Sequence, residues 1–311
     1  MKIQPEAMYY LKRMVGMIPL LIVISFFSFV LVRLAPGGPF DRERIPASPE
    51  VERQLKAKYH LDEPVWKQFG RYLSDLAHGD LGPSLKQRNH SVNDIIAQAL
   101  PVSATLGGCA FLFALGVGLP LGFFTGIKKG EWQDWLGSFV AISFICIPAL
   151  VLAPLMVMIF AVRLGWFPVA LLESPLHLVL PTFTLGIYFA GRVARLMREG
   201  IASILHAEFI TAARAKGLSE TMVYLKHGFR IAVLPVLSYS GPLLADLLTG
   251  SFVVENIFQI PGLGVFVVNS SLANDYPVIV GLVLLYAALL LVLNLFVDFA
   301  YGLLDPRVRS L

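Results

Sequence analysis

Residues 208–235 read EFITAARAKGLSETMVYLKHGFRIAVLP, the longest polar interruption in the apolar second half of the chain. The first part of this region, residues 204–215, is rich in alanine, a strong helix former. Gly217 follows where a helix C-terminus favours a residue free to take positive φ. Ser219 stands where an N-cap would, with Glu220 in the favourable first turn of a second helix. The stretch predicts two short helices joined by a sharp bend at Gly217, lying on a membrane surface.

The membrane follows from the surroundings. The 311 residues are 56% hydrophobic and 15% charged, whereas soluble domains carry roughly 25% charged residues. The net charge of +4 is modest. No basic stripe with interleaved aromatics appears, so nucleic acid is not an expected partner. Residues 14–32 are an uncharged run of 19 between Lys12-Arg13 and Arg33, long enough to cross roughly 30 Å of hydrocarbon. This run is longer than a signal-peptide core and lacks an A-x-A site, which predicts a retained first span.

The second span is expected from about residue 101 to 127, inside a charge-free run of residues 95–127. Gly118, Gly122 and Gly126 repeat on one of its faces, a spacing that admits close approach of another span or of a partner subunit. The third span is expected over 135–162, with kinks at Pro148 and Pro154. The fourth covers 174–191 and ends before Arg192, Arg195 and Arg198. The fifth covers 231–254, interrupted only by Asp246. Residues 255–276 pair a Gly/Pro turn with an apolar run and read as an external re-entrant or interfacial segment. The sixth span is expected over 277–297, with Asn294 bonding between helices.

Between the first two spans the texture changes, and ten of the 25 Lys and Arg residues lie there. Ser48-Pro49 opens an expected helix bearing Val51, Leu55 and Tyr59. Asp62 is the expected cap of another, with Val65, Phe69, Tyr72 and Leu76 on one face. Fourteen Lys and Arg residues fall at the N-terminus, at 128–129, across 192–230 and in the tail, whereas the short opposite loops carry only Arg163. This asymmetry puts both termini and the central loop in the cytoplasm. The expected organisation is a cytoplasmic end plus first span (1–33), a periplasmic helical insert (34–100), and a five-helix core (101–311) carrying a cytoplasmic loop at 199–232.

No stretch matches G-x-x-x-x-G-K-[ST], so no P-loop is present to cradle ATP phosphates. No Ser/His/Asp or paired-carboxylate arrangement stands out, and the six histidines are scattered. Cys109 and Cys146 are expected to differ in depth by roughly 9 Å, too far to pair. The expectation is no catalysis, no metal and no cofactor in this chain. Asp246, an acid inside a span, reads either as a group lining a translocation path or as a structural hydrogen bond.

Within the opening stretch, Ala212-Ala213, three residues, Gly217 and then Leu234-Pro235 resemble the EAA loop of binding-protein-dependent ABC transporter permeases. Thr211 replaces the family's Glu, and 17 residues separate Gly217 from Pro235, where the common pattern has about a dozen. The longer spacer and the wording AARAKGLS are similar to the peptide and nickel branch. APGGPF, HLDEPV and HGDLGPSL in the insert, and QIPGLG and DPRVR later, resemble the B-type permease subunit of bacterial oligopeptide importers.

The resemblance implies an all-α polytopic membrane protein of six transmembrane helices in the type I ABC importer permease fold, located in the bacterial inner membrane. It implies that Ala212, Ala213, Arg214, Lys216, Gly217 and Leu218 belong to a coupling helix docking on a separate ATP-binding subunit. Arg214 and Lys216 would then meet acidic groove residues or anionic lipid. The implied partners are a C-type second permease, two ATP-binding subunits holding ATP and Mg, and an external peptide-binding protein. Oligopeptides are the implied cargo, with dipeptides, glutathione or nickel as alternatives. An ion-coupled transporter or channel would show several buried acids or an inverted repeat. The sequence displays one such acid and no clear repeat.

Overall fold

A computed structural model describes residues 5–34, 62–87 and 89–304, with side chains described for 12–34, 62–87 and 89–302. The expected helix after Ser48-Pro49, the APGGPF wording and the DPRVR tail lie outside the described residues. Apart from an isolated bridge between Pro83 and Ser91, the described residues form helices and turns. The longer helices are α1 (Pro5–Leu34), α2 (Val65–Ala77), α3 (Val92–Ile127), α4 (Trp132–Cys146), α5 (Ala149–Met156) and α6 (Val179–Ile204). After these come α7 (Glu208–Ala215), α8 (Leu234–Leu248), α9 (Phe252–Ile257), α10 (Leu263–Ala273) and α11 (Tyr276–Leu304).

Five helical stretches are long and apolar enough to cross a membrane, and α4 with the stretch Ala149–Arg163 (α5 and the π-helical turn after it) makes a bent pair that counts as a sixth if taken as one broken span. The third span expected over 135–162 is therefore corrected. Its two halves meet at 95°, far beyond a proline kink. Ile147 (ψ 113°) is extended because a residue before proline is pushed out of the helical region, and Pro148 (ψ 139°) is extended as the N-cap of the helix that follows. The fourth span also differs, running on past Gly191 to Ile204. Arg192, Arg195 and Glu199 point outward while Val193, Ala194, Met197 and Ile201 bury the opposite face. The charges thus mark a face rather than an end. The expected fifth span is present as Leu234–Ile257, with a turn at Gly250 (φ +86°) between α8 and α9.

The chain divides into two compact units. One takes the described residues up to Val102 together with Pro261–Leu291. Its core joins Val92, Ile95 and Ala99 to Leu263, Val278 and Leu282. Here α2 lies on α1, with Phe69 edge-on to Phe26 and Phe29 at 5.2 and 5.4 Å. The Arg33 guanidinium sits 3.4 Å from the Phe29 ring centroid and donates twice to Gln68 Oε1 at 3.1 and 2.8 Å. Phe69 and Tyr72 pack as expected, but the N-cap is Pro64 rather than Asp62. Asp275, just before α11, is buried and accepts from Ser84 Oγ (2.5 Å) and Leu85 N (3.0 Å).

The second unit holds Ser103–Ile260 and the end of α11. Its centre is α6, half-wrapped by α3 and α4. A Cβ added at Gly118, Gly122 or Gly126 of α3 would lie 2.7 Å from Ala190 O, 2.2 Å from Ala194 O and 2.6 Å from Ile201 Cβ. The glycine stripe therefore serves an intrachain contact with α6. A Cβ at Gly241 of α8 would meet Asn294 Oδ1 at 2.6 Å, so Asn294 sits where α8 and α11 come into contact. Cys109 and Cys146 are unpaired.

Candidate coupling site

The site hangs from the end of α6. The chain turns at residues 205–207, with Ala207 N donating to Ile204 O at 3.0 Å. Helix α7 then starts at Glu208, four residues later than the alanine content suggests, because 204 still belongs to α6. Lys216 ends it and Gly217 takes φ +77°, a conformation that costs other L-residues roughly 1–2 kcal/mol. The predicted bend is where it was expected. Ser219 occupies the N-cap position of the next turn, but its hydroxyl makes no capping bond. The chain returns through one α-turn (Glu220–Met222), a π-turn (Val223–Gly228) and Phe229–Ala232.

The bend is held on its inner side by a small apolar core. Ile204, Ile210, Ala213, Val223 and Tyr224 are all at most 5% exposed. Gly228 fits beneath them, where an added Cβ would be 2.9 Å from Ile204 Cδ1. At Gly200 a Cβ would lie only 2.0 Å from Ala232 O, so the returning chain is seated against α6 by backbone contact. Displacing α7 therefore pulls on the ends of both α6 and α8.

Arg214 closes the bend. Its Nε donates to Glu220 Oε1 at 2.8 Å and its Nη2 to Glu220 Oε2 at 3.0 Å, a two-armed pair. Nη2 also donates to Tyr224 Oη at 2.5 Å, and Nη1 to Leu205 O at 3.3 Å. The bond from Arg214 holds the Glu220 carboxyl below the usual glutamate range. Burial pushes the Tyr224 phenol up.

The six residues implied by resemblance separate into two groups. Ala213 faces the apolar core and Arg214 is engaged within the loop. Ala212, Lys216, Gly217 and Leu218 are exposed, together with Phe209, Met222 and Leu225. This outward group is an apolar surface with one cation, built on a braced elbow.

Asp246 lies on α8 opposite the buried Leu243, Ala245 and Leu247, on an exposed face. Two other charged groups escaped sequence reasoning. Asp134 of α4 is 6% exposed and takes both arms of Arg198 on α6, at 2.5 and 2.8 Å, plus Gly130 N at 3.0 Å. Glu255 on α9 is fully buried and accepts from Ser103 Oγ at 2.7 Å. Nothing in the sequence links residues 64 and 152 positions apart. No group of three or more His, Cys, Asp or Glu suited to a metal occurs among the described residues.

A multi-span helical chain with a braced polar elbow between two spans has the form of a permease subunit of a type I ABC importer. The chain belongs to the family of binding-protein-dependent transport system inner membrane components, which matches residues 118–310. It is 40% identical over 303 residues to the oligopeptide transport system permease protein OppB of Haemophilus influenzae, covering 97% of this chain and 99% of that one. It is 41% identical over 303 residues to the dipeptide transport system permease protein DppB of Bacillus subtilis, covering 97% and 98%. Among solved structures, the inward-facing MetNI methionine ABC transporter matches with a TM-score of 0.50 at 19% identity, over 70% of this chain and 95% of that one. The likeness is one of fold. The chain is thus a multi-pass membrane permease subunit, and the ion-coupled alternative falls away.

Proposed function

We propose that this chain forms half of the translocation pathway of an oligopeptide importer and receives mechanical work through α7 from a separate ATP-binding subunit. The observation that carries this reading is the outward face of residues 209–218. An exposed apolar and small-residue surface with Lys216 sits on an elbow whose inner side packs on the end of α6 and whose returning chain, at Ala232, is seated on α6 just before α8. Small side chains at Ala212 and Gly217 let a partner's groove approach the helix backbone. Nucleotide and Mg belong to two such partner subunits. A C-type permease completes the pathway, and an external binding protein delivers the peptide. The termini and α7 lie on the cytoplasmic side, in line with the basic residues there. The comparable likeness to a dipeptide permease supports dipeptides as a second cargo reading.

Cysteine scanning tests the coupling. Cross-linkers at Ala212→Cys or Leu218→Cys should trap the ATP-binding subunit in a functioning assembly. Ala213→Cys should label poorly, because that side chain faces inward. Failure at both outward positions refutes the coupling assignment.

A further inference from the structure

Two stripes on the outward faces of α6 and α8 share one spacing. Tyr188, Arg192, Arg195 and Glu199 lie four, three and four residues apart, and so do Pro235, Tyr239, Pro242 and Asp246. All eight are half-exposed or exposed. The stripes meet at Arg192, whose Nη1 donates to Tyr239 Oη at 3.3 Å. Its guanidinium carbon lies 5.1 Å from the Tyr188 ring centroid and 6.0 Å from that of Tyr239. Beside it opens a depression of about 340 Å³ lined by Ile145, Arg192, Arg195, Leu196, Glu199 and Tyr239.

Charges at this density within spans are costly against lipid and belong on a water-filled cavity. Arg192 is framed by two aromatic rings and stays exposed, and a guanidinium can take a carboxylate by two parallel hydrogen bonds. Asp246 stands two turns along α8 from Tyr239, about 10 Å at 1.5 Å per residue. An extended tripeptide separates its termini by about 10 Å as well. We propose that Arg192, oriented by Tyr188 and Tyr239, receives the C-terminal carboxylate of a peptide in transit, and that Asp246 receives its amino group. This rests on the peptide reading above.

The test uses the complete transporter in proteoliposomes, with trialanine and its C-terminal amide as probes. Uptake of trialanine by the wild-type complex is scored first, and its absence sinks the peptide reading together with this one. Given that uptake, Arg192→Gln should lower trialanine entry about tenfold and amide entry less than twofold, while Arg192→Lys, which keeps the charge but not the planar fork, should fall between Arg192→Gln and the wild type. Equal losses with both probes, as a contact with the second permease would give, overturn the proposal. So does an unchanged rate. Asp246→Asn should show the mirror pattern with N-acetylated trialanine. If Arg192→Gln does not co-purify with its partners, Tyr239→Phe decides. A selective loss of about threefold for trialanine supports the proposal, and an unchanged ratio of the two probes overturns it.

Discussion

Arg214 and Glu220 face each other across the Gly217 bend and are joined by two hydrogen bonds, 2.8 and 3.0 Å long. The pair is largely exposed, so its worth is about 0–1 kcal/mol, enough to bias the elbow but not to fold the chain. Glu220→Gln should leave complex assembly intact and speed hydrogen exchange across 208–220 by about fivefold, the equivalent of 1 kcal/mol. The pH dependence has a definite sign. The folded-state pKa of Glu220 is lowered by Arg214, so the pair's stabilisation is full above the ordinary glutamate value of about 4.3. It is lost as pH falls through the lower folded value. Protease protection of the loop should therefore be flat from pH 7 to 5 and approach that of the variant only below about pH 4. Loss already at pH 6 would contradict this account.

Gly217 tests conformation separately from space. A Cβ there meets no atom within 4 Å, yet φ is +77°. Gly217→Ala should strain the bend by about 1–2 kcal/mol and lower peptide-stimulated ATP hydrolysis of the assembled transporter several-fold. Gly217→Asn should fall between, because asparagine tolerates this region better. Equal activity of all three would show that the bend's shape does not matter for coupling.

How much of this was legible in the sequence depends on which physical signal each feature leaves. The apolar runs and the Gly217 bend were readable, since charge gaps and positive φ are local. The inward Ala213 was not readable: it is expected beside Ala212 on the docking surface, and alanine identity alone hides which of two neighbours is buried. The extension of α6 was missed because Arg192 and Arg195 were weighed as an end signal while Val193, Ala194 and Met197 bury the other face. The 95° break at Pro148 was read as a kink, since proline marks a weak point without setting its angle. Glu255 was assigned to an external segment because burial beside Ser103 depends on a contact 152 residues away.

The Asp134–Arg198 pair ties the start of α4 to α6. Removing one partner of a buried ion pair typically costs about 3–5 kcal/mol. Arg198 retains 29% side-chain exposure, which favours the lower end of that range. Asp134→Ala should cost about 3 kcal/mol and lower the inactivation temperature of the purified transporter. Asp134→Asn should cost less, since it still accepts from Gly130 N. If Asp134→Ala is as stable as the wild type, the latch does not hold these helices.

The glycine stripe supplies an internal comparison on one helix. Gly122 has Ala194 O at 2.2 Å from an added Cβ, whereas Gly116, six residues nearer the N-terminus of α3, has no atom within 4 Å. An alanine at Gly116 replaces a flexible residue in an open helical position and should stabilise the isolated chain by about 0.5–1 kcal/mol. An alanine at Gly122 must push α3 off α6 and should destabilise by about 1–3 kcal/mol, as overpacking does. Unfolding of the two variants in mixed micelles checks the sign directly. A stabilising Gly122→Ala would mean that α3 and α6 do not touch at the stripe, and that the glycines face a different subunit.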